Sequence, residues 1–515
     1  MRLIPLLLLA IAPSLLAAPD GAALYHQHCA SCHGEERLGG TGPALLPDNL
    51  GRLKPAEALA VIRKGRPATQ MAGFEDRLTA EDSEALRDFV FKPPAKLPIW
   101  GLAEIEASRI VPAPREGLAA QPVHGADPLN LFVVVETGDH HATILDGDRL
   151  VPIHRFPTRF ALHGGPKFSP DGRFVYFASR DGWISQFDLY SLKTVAEVRA
   201  GINTRNLAIS GDGRYVMAAN YLPPNLVLLN ARDLKPIKVI PVTDERGQTS
   251  RVAAVYAAPP RESFIAGLKD LPEIWEIATA DNPPPVYNGP MHDYRMEEGI
   301  AKQTGPFPVR RIKIPFVLDD FFLDQSYRLL VGTGRQGPTK KGQVIQLDAG
   351  VPIAALDIDG MPHLSSGITW EREGHRLLAT PNLERAEITV IDMGDWKTVR
   401  RISTAGSGSF LRSHERSRYV WADCFFSPAR DTVHVIDKQT LDIVKTLKPQ
   451  PGKTVAHVEF DKDGKYALLS LWEMEGALIV YDATTLEEVK RIPMRKPSGK
   501  YNVANKIRHS EGTSH

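Results

Sequence analysis

Charge of one sign is what this 515-residue chain lacks most plainly: 62 lysines and arginines stand against 61 aspartates and glutamates. Such a balance leaves no basic footprint for a polyelectrolyte, which excludes nucleic acid as a partner. Beyond the first residues no apolar run approaches the ~20 residues of a membrane-crossing helix, so no stable membrane span is expected. Cysteine is scarce too, with three in the whole chain. One of them, Cys424, lies in Trp421-Ala422-Asp423-Cys424-Phe425-Phe426, where a buried, inert thiol is the expectation.

What is present begins with an address. Met1-Arg2, an apolar run from Leu3 to Leu16 and the small pair Ala17-Ala18 read as a secretory signal peptide over residues 1–18. The other two cysteines stand in Cys29-Ala30-Ser31-Cys32-His33, and a C-x-x-C-H run is the attachment site of a c-type haem. Two thiols at that spacing can add across both haem vinyl groups, and the adjacent histidine then lies under the iron as an axial ligand. Cys29 and Cys32 are thus expected to hold a covalent haem c, with His33 on its iron. Export together with a covalent haem points to a bacterial periplasm.

After the haem motif come a Gly/Pro-rich loop, a helix over Pro55 to Lys64, a loop around Met71, and a last helix from an N-cap at Thr79 to Phe91. This order resembles a class I c-type cytochrome over residues 19–93. The resemblance implies that Met71 is the sixth ligand of the haem iron, opposite His33. A thioether there raises the reduction potential and suits an electron acceptor. His26 and His28 also lie near enough in sequence to ligate. Residues 94–123, rich in proline around Pro93-Pro94, Pro98 and Pro112-Ala113-Pro114, read as a linker.

From about residue 131 the chain repeats. Ser169-Pro170-Asp171-Gly172-Arg173, Ser210-Gly211-Asp212-Gly213-Arg214, Glu373-Gly374-His375-Arg376 and Asp463-Gly464-Lys465 each introduce a short apolar strand, and a second strand ending near Asp or Asn follows. A spacing of about 40 residues between short β-runs is the signature of propeller blades. Units beginning near residues 131, 168, 207, 252, 318, 367, 413 and 457 predict a mainly β, eight-bladed β-propeller over 124–515, preceded by the small all-α cytochrome domain. Asn282 to Pro315 is long and irregular for an inter-blade segment and is expected to be a functional insertion such as a lid.

A c-type cytochrome followed by such a propeller resembles the cytochrome cd1 nitrite reductases and their relatives, over almost the whole mature chain. Ala161-Leu162-His163-Gly164-Gly165-Pro166-Lys167 looks like the family stretch that supplies the proximal histidine to d1 haem. Arg199, Arg205 and Arg251 stand in segments similar to those whose basic residues meet the carboxylate-bearing haem edge, with Arg205 and Arg251 ranking ahead of Arg199. Gly406-Ser407-Gly408-Ser409-Phe410, His414 and the closing Pro497 to Val503 extend the likeness.

Two departures set the expected activity. The segment similar to the one carrying the first distal histidine reads Pro315-Phe316-Val317-Leu318-Asp319-Asp320 and has none, whereas Met361-Pro362-His363-Leu364 keeps the second. One donor over the iron suits a general acid or base better than a nitrite reductase, which consumes two protons. The pattern resembles the dehydrogenase branch of this superfamily, which implies oxidation of a propionate side chain of dihydro-haem d1 to acrylate, with His363 as the catalytic group. The d1-type haem is then a non-covalently bound substrate and product, and electrons leave through haem c to a periplasmic acceptor. Nitrite reductase or other d1-haem biosynthesis proteins are the expected recipients of the product. The competing readings are a working nitrite reductase and a non-catalytic d1-haem carrier.

Overall fold

The computed structural model describes residues 18–40, 42–51, 53–66, 71–96, 98–287, 301–303, 305–334 and 342–508. Residues 1–17 of the expected signal peptide and 288–300 of the expected insertion lie outside them. The chain divides into two compact units, Met1–Lys96 and Leu97–His515.

The first unit is helical because its sequence supplies the caps. The Asp20 carboxylate accepts the Ala22 N–H at 2.9 Å and so starts the helix Gly21–His28. At the head of Ala80–Phe91, Thr79 Oγ1 accepts the Asp82 N–H at 3.1 Å, and Asp82 Oδ2 accepts the Thr79 N–H at 3.0 Å. This reciprocal pair satisfies two N–H groups that the helix itself leaves open. The two helices meet closely enough that a Cβ on Gly21 would overlap the Ala85 carbonyl. Tyr25, Leu50, Leu78, Leu86 and Val90 form the core between them and the shorter helices Ala30–His33, Pro47–Leu50 and Pro55–Lys64. Arg37 Nη1 donates to the carbonyls of Phe89 at 2.7 Å and Lys92 at 3.0 Å, placing a cation where the last helix ends.

The second unit contains eight four-stranded antiparallel sheets, the blades of a propeller. Seven begin on their innermost strand: Lys167–Phe168, Asn203–Ile209, Val252–Ala258, Asp320–Leu323, Ile368–Arg372, Leu411–Arg412 and Val455–Phe460. The remaining blade is built from both ends of the unit. Its strand Leu131–Glu136 pairs on one side with His141–Asp146 and on the other with Pro497–Asn502, with Val133 opposite Tyr501. Residue 131 therefore opens the second strand of its blade, and the innermost strand arrives from the C-terminal end of the chain. A repeat search cannot assign that strand, because it has no sequence-adjacent partner.

Alternation along each strand explains why the strands read as unbroken apolar runs. Leu131, Val133 and Val135 face one neighbouring blade with Val175 and Phe187, while Phe132 and Val134 face the other with Leu468 and Leu478. Both faces of a blade are covered, so both sets of alternating side chains must be apolar. Each junction between neighbouring blades holds such a cluster. Asp-Gly turns recur because they fold the same way: Asp171 Oδ1 accepts the Arg173 N–H at 3.1 Å, Ser169 Oγ accepts the Phe174 N–H at 2.9 Å, and Gly172 takes φ +74°.

Two segments differ from expectation. Residues 98–123, read as part of a linker, add to the propeller unit: Ile105 of the helix Leu102–Ala107 is buried in a blade junction, and Ile110 exchanges two backbone hydrogen bonds of 2.8 Å with Glu197. Asn282 to Pro315 is not irregular throughout, since Val309–Lys313 is the outer strand of its blade and Val286–Tyr287 pairs with Ala301–Gln303. Among the described residues no helix is long and apolar enough to cross a membrane. Cys424 is buried, which pushes its thiol up to about 11 and keeps it protonated.

Buried imidazoles make the blades sensitive to acid. His434 Nε2 accepts the Ala405 N–H at 2.9 Å and His414 Nδ1 accepts the Arg416 N–H at 3.1 Å, and burial holds both rings below the ordinary value. Protonation removes the acceptor in each. A depressed pKa contributes stability that is present above the unfolded value of about 6.5 and lost as pH falls through the folded value. The thermal midpoint should therefore begin to fall as pH drops below about 6.5, ahead of most carboxylate titration. The His434→Leu variant should unfold at lower temperature at neutral pH but show a flatter slope across that window; an unchanged slope would contradict the assignment.

Candidate functional site

In the helical unit, Cys29 caps the start of the helix Ala30–His33 and Cys32 lies within it, and neither is in a disulfide. Burial, with Cys32 adding, pushes the Cys29 thiol up to about 11. The His33 ring is buried, and its Nδ1 donates to the Pro43 carbonyl at 2.7 Å. A carbonyl can only accept, so the proton is on Nδ1 and the Nε2 lone pair is the one available to a metal. Burial lowers the pKa of the ring, more than the Pro43 bond raises it, which favours the neutral ligand form. Gly42 lies against that ring: a Cβ there would come 2.7 Å from its Cε1. Two free thiols beside a neutral, oriented imidazole fit a covalent haem c. Met71 lies in the loop between Pro55–Lys64 and Ala80–Phe91, and its carbonyl accepts the Arg66 N–H at 3.0 Å. His26, the alternative on the first helix, pairs its Nδ1 with Glu35 at 2.7 Å, while the His28 ring packs on Phe74.

In the propeller unit the expected residues converge on one end of the ring. His163 precedes the inner strand Lys167–Phe168, Arg205 lies near the start of Asn203–Ile209, Arg251 directly precedes Val252–Ala258, and His363 precedes Ile368–Arg372. Inner strands run the same way in every blade, so their starts share one rim. Arg199 ends the outer strand Lys193–Arg199 opposite Trp183, at that same end.

His163 is the best-defined of these. Its Nδ1 donates to the Arg205 carbonyl at 2.8 Å across a blade junction, so Nε2 is again the acceptor nitrogen. Arg180 Nη2 lies 2.8 Å from Nε2, and the Arg205 guanidinium lies against the ring, 3.0 Å from both nitrogens. Arg205 Nε also donates to the Ala253 carbonyl at 3.1 Å, tying a third blade to the group. Arg251 forms a two-point pair with Asp270, Nε to Oδ2 at 2.9 Å and Nη2 to Oδ1 at 2.6 Å, and stands over the Tyr221 ring at 5.5 Å. Arg199 is buried, its Nε on the Asp181 carbonyl at 2.8 Å and its guanidinium over Trp100 at 4.8 Å.

On the other side of the ring, His363 Nδ1 donates to the Ser409 carbonyl at 2.6 Å, and its ring meets Phe410 edge-on. The loop carrying that carbonyl is fixed by Asp423, which accepts the N–H groups of Ser409 at 2.9 Å, Phe410 at 3.3 Å and His457 at 3.2 Å. Burial raises the Asp423 carboxyl despite these bonds. Leu318 is fully buried in the junction with Phe321 and Leu323, and its neighbour Asp319 forms a close ion pair with Lys269.

Arg180, Tyr221, Lys269, Asp270 and Asp423 were not singled out from sequence. Arg180 had a signal, since it occupies the tight turn Ser179-Arg180-Asp181-Gly182, which lies at the same end of its blade as His163. The others had none.

A histidine in contact with two guanidinium groups at one end of an eight-bladed ring, in a chain that also carries a c-type cytochrome unit, belongs to the class of redox propellers. The chain belongs to the Cytochrome D1 heme domain family, whose model matches residues 126–288 and 301–506. Residues 16–90 match the model described as Cytochrome C oxidase, cbb3-type, subunit III. Among its relatives is a dihydro-heme d1 dehydrogenase of Pseudomonas aeruginosa, 55% identical over 517 residues that cover all of both chains. A solved structure of dihydro-heme d1 dehydrogenase NirN in complex with DHE shares 55% identity and a TM-score of 0.88, covering 95% of this chain and 100% of that one. A nitrite reductase of Stutzerimonas stutzeri is 25% identical over 97% of this chain and 96% of its own length.

The contact of Gly42 with His33 gives a direct prediction. Gly42→Ala should displace the imidazole and destabilise the cytochrome unit by about 1–3 kcal/mol through overpacking. Chemical denaturation of the full-length protein followed by far-ultraviolet circular dichroism reads this; an unshifted helical transition would contradict the packing described.

Proposed function

We propose that this chain is an oxidoreductase of d1-haem biosynthesis, a dihydro-haem d1 dehydrogenase that converts a propionate side chain of its tetrapyrrole substrate to acrylate. The observation that carries this reading is the 55% identity to such an enzyme across the whole of both chains. The reaction breaks one C–H bond on each of two adjacent carbons, forms the C=C bond and releases two protons and two electrons. When bound, haem c and the iron of the substrate tetrapyrrole would together supply acceptors for the two electrons, one each. The proposed compartment is the periplasm, where a periplasmic electron acceptor would reoxidise the protein. Nitrite reductase or another d1-haem biosynthesis protein would take the product.

Roles for the residues follow from their tautomers and charges. His163 has Nε2 as its acceptor nitrogen, faced by Arg180 Nη2 at 2.8 Å, and is the proposed axial ligand of the substrate iron once Arg180 turns to a substrate carboxylate. Arg205, Arg251 and Arg199, with Arg180, would hold the substrate carboxylates, since guanidinium forks match carboxylates in an apolar pocket. His363 is the proposed base: its Nδ1 proton is committed to the Ser409 carbonyl, which leaves Nε2 as the basic nitrogen. His33 and Met71 are the proposed ligands of the haem c iron. A nitrite reductase needs a second proton donor, and this segment offers none that suits: Leu318 has no proton to give, and the Asp319 carboxylate is paired with Lys269.

Three variants test the assignment. Met71→Ala should abolish the methionine-to-iron charge-transfer band of the oxidised protein and lower its potential; an unchanged spectrum would move the sixth ligand to a histidine. His163→Ala should keep haem c but bind the d1-type haem weakly or with an altered ligand-field spectrum. Unaltered binding and spectrum would place the axial ligand elsewhere. His363→Ala should slow single-turnover conversion of dihydro-haem d1 by about 100- to 10,000-fold at unchanged affinity. A loss under about tenfold would make His363 a wall of the pocket and assign the proton to another group.

A further inference from the structure

The Ser409 carbonyl that takes the Nδ1 proton of His363 belongs to a segment with little stiffness of its own, Ala405-Gly406-Ser407-Gly408-Ser409. Glycine leaves such a loop many conformations of similar energy, so something outside it must hold the carbonyl in place. The clasp is Asp423, at the end of the strand Tyr419–Asp423 in the same blade. Its Oδ1 accepts the N–H groups of Ser409 at 2.9 Å, Phe410 at 3.3 Å and Phe425 at 3.4 Å, and its Oδ2 accepts that of His457 at 3.2 Å. Its own N–H returns to the Phe410 carbonyl at 3.3 Å. Gly408 lies so close that a Cβ there would overlap the Asp423 carbonyl oxygen.

One side chain thus spans three blades: its own, that of His457 and, through the Ser409 carbonyl, that of His363. Asp423 is buried, and taking a carboxyl group out of water is costly unless it is bonded. Closing a strand end does not require one. At the same end of the preceding blade the Asn382 amide oxygen accepts the N–H groups of Met361 at 3.2 Å and of Glu384 and Arg385 at 3.0 Å. An amide offers one acceptor oxygen and a carboxylate two, so only the carboxylate can hold the Ser409 loop and the His457 strand together. His457 is the residue its ladder skips, at φ +55°, and its N–H needs an acceptor from outside the strand.

We propose that Asp423 is a positioning residue for proton abstraction: through the Ser409 carbonyl it fixes the tautomer and direction of the His363 ring. This rests on the reading of His363 as the base. A neutral imidazole keeps its proton on the nitrogen that finds the better acceptor. A Ser409 carbonyl free to move would let that proton pass to Nε2 in part of the molecules, and those could not take another there.

Two measurements on the full-length, haem-loaded protein test this. Asp423→Asn should slow single-turnover conversion of dihydro-haem d1 on the order of 10- to 100-fold, with affinity for it held within about twofold. In the His363→Ala background the same substitution should change the remaining rate less than about twofold, because the ring it positions is gone. Equal losses in both backgrounds would make Asp423 merely structural and overturn the proposal. Nuclear magnetic resonance of the ferrous protein, with its histidine ring nitrogens isotope-labelled, reads the tautomer directly; the His363 signals are those lost in His363→Ala. They should report a proton on Nδ1 alone in the parent and a mixture of both tautomers in Asp423→Asn. A tautomer unchanged by the substitution would overturn the proposal. Gly408→Ala, which displaces the Ser409 loop without touching the carboxylate, should give the same mixture and carries the test should Asp423→Asn fail to fold. The two readouts separate the two claims: a His363→Ala loss under about tenfold removes the base assignment, whereas the tautomer response decides whether Asp423 positions the ring.

Discussion

Closure of the ring by the strand Pro497–Asn502 is the constraint on which the rest of the propeller depends. Without it the strand Leu131–Glu136 would expose its inner edge, and the apolar junctions on both sides of that blade would open. Every blade is apolar on both faces and none is stable alone, so cohesion is a property of the closed ring. The same strand puts Tyr501 into the junction with one neighbouring blade and bonds Lys500 Nζ to Ser470 Oγ of the other at 2.9 Å, so the element that seals the ring also ties both neighbours to it.

The rim works because closure brings together residues far apart in the chain. His163 takes its orientation from the Arg205 carbonyl one blade on, and His363 takes its own from Ser409, again one blade on. In both, a backbone acceptor fixes the Nδ1 proton and leaves Nε2 as the acceptor nitrogen, which in His163 faces Arg180. His33 uses the same device with Pro43 in the helical unit. Three histidines at three sites thus have their tautomer set by one rule: a carbonyl decides which nitrogen carries the proton.

Much of this was legible in the sequence for local reasons. The C-x-x-C-H spacing, the Thr79–Asp82 cap and the Asp-Gly turns are written within a few residues, and the helices and blades they imply are present. The innermost strand of the first blade was not legible, because its partner lies at the other end of the chain. The outer strand Val309–Lys313 was hidden behind prolines that read as irregular insertion. Arg180, Asp270 and Asp423 escaped notice because their partners are set by blade-to-blade packing and by turns at the rim. The fixed tautomers of His163 and His363 likewise depend on carbonyls 42 and 46 residues away.

The central claim is that this chain removes two hydrogens from the propionate of dihydro-haem d1. Incubation of the purified, haem-loaded protein with dihydro-haem d1 and an electron acceptor, followed by mass spectrometry of the extracted tetrapyrrole, tests it most directly. The account predicts a product lighter by two hydrogens, with two electrons delivered for each one formed. Tight binding followed by recovery of the tetrapyrrole unchanged would contradict it and leave the protein a carrier.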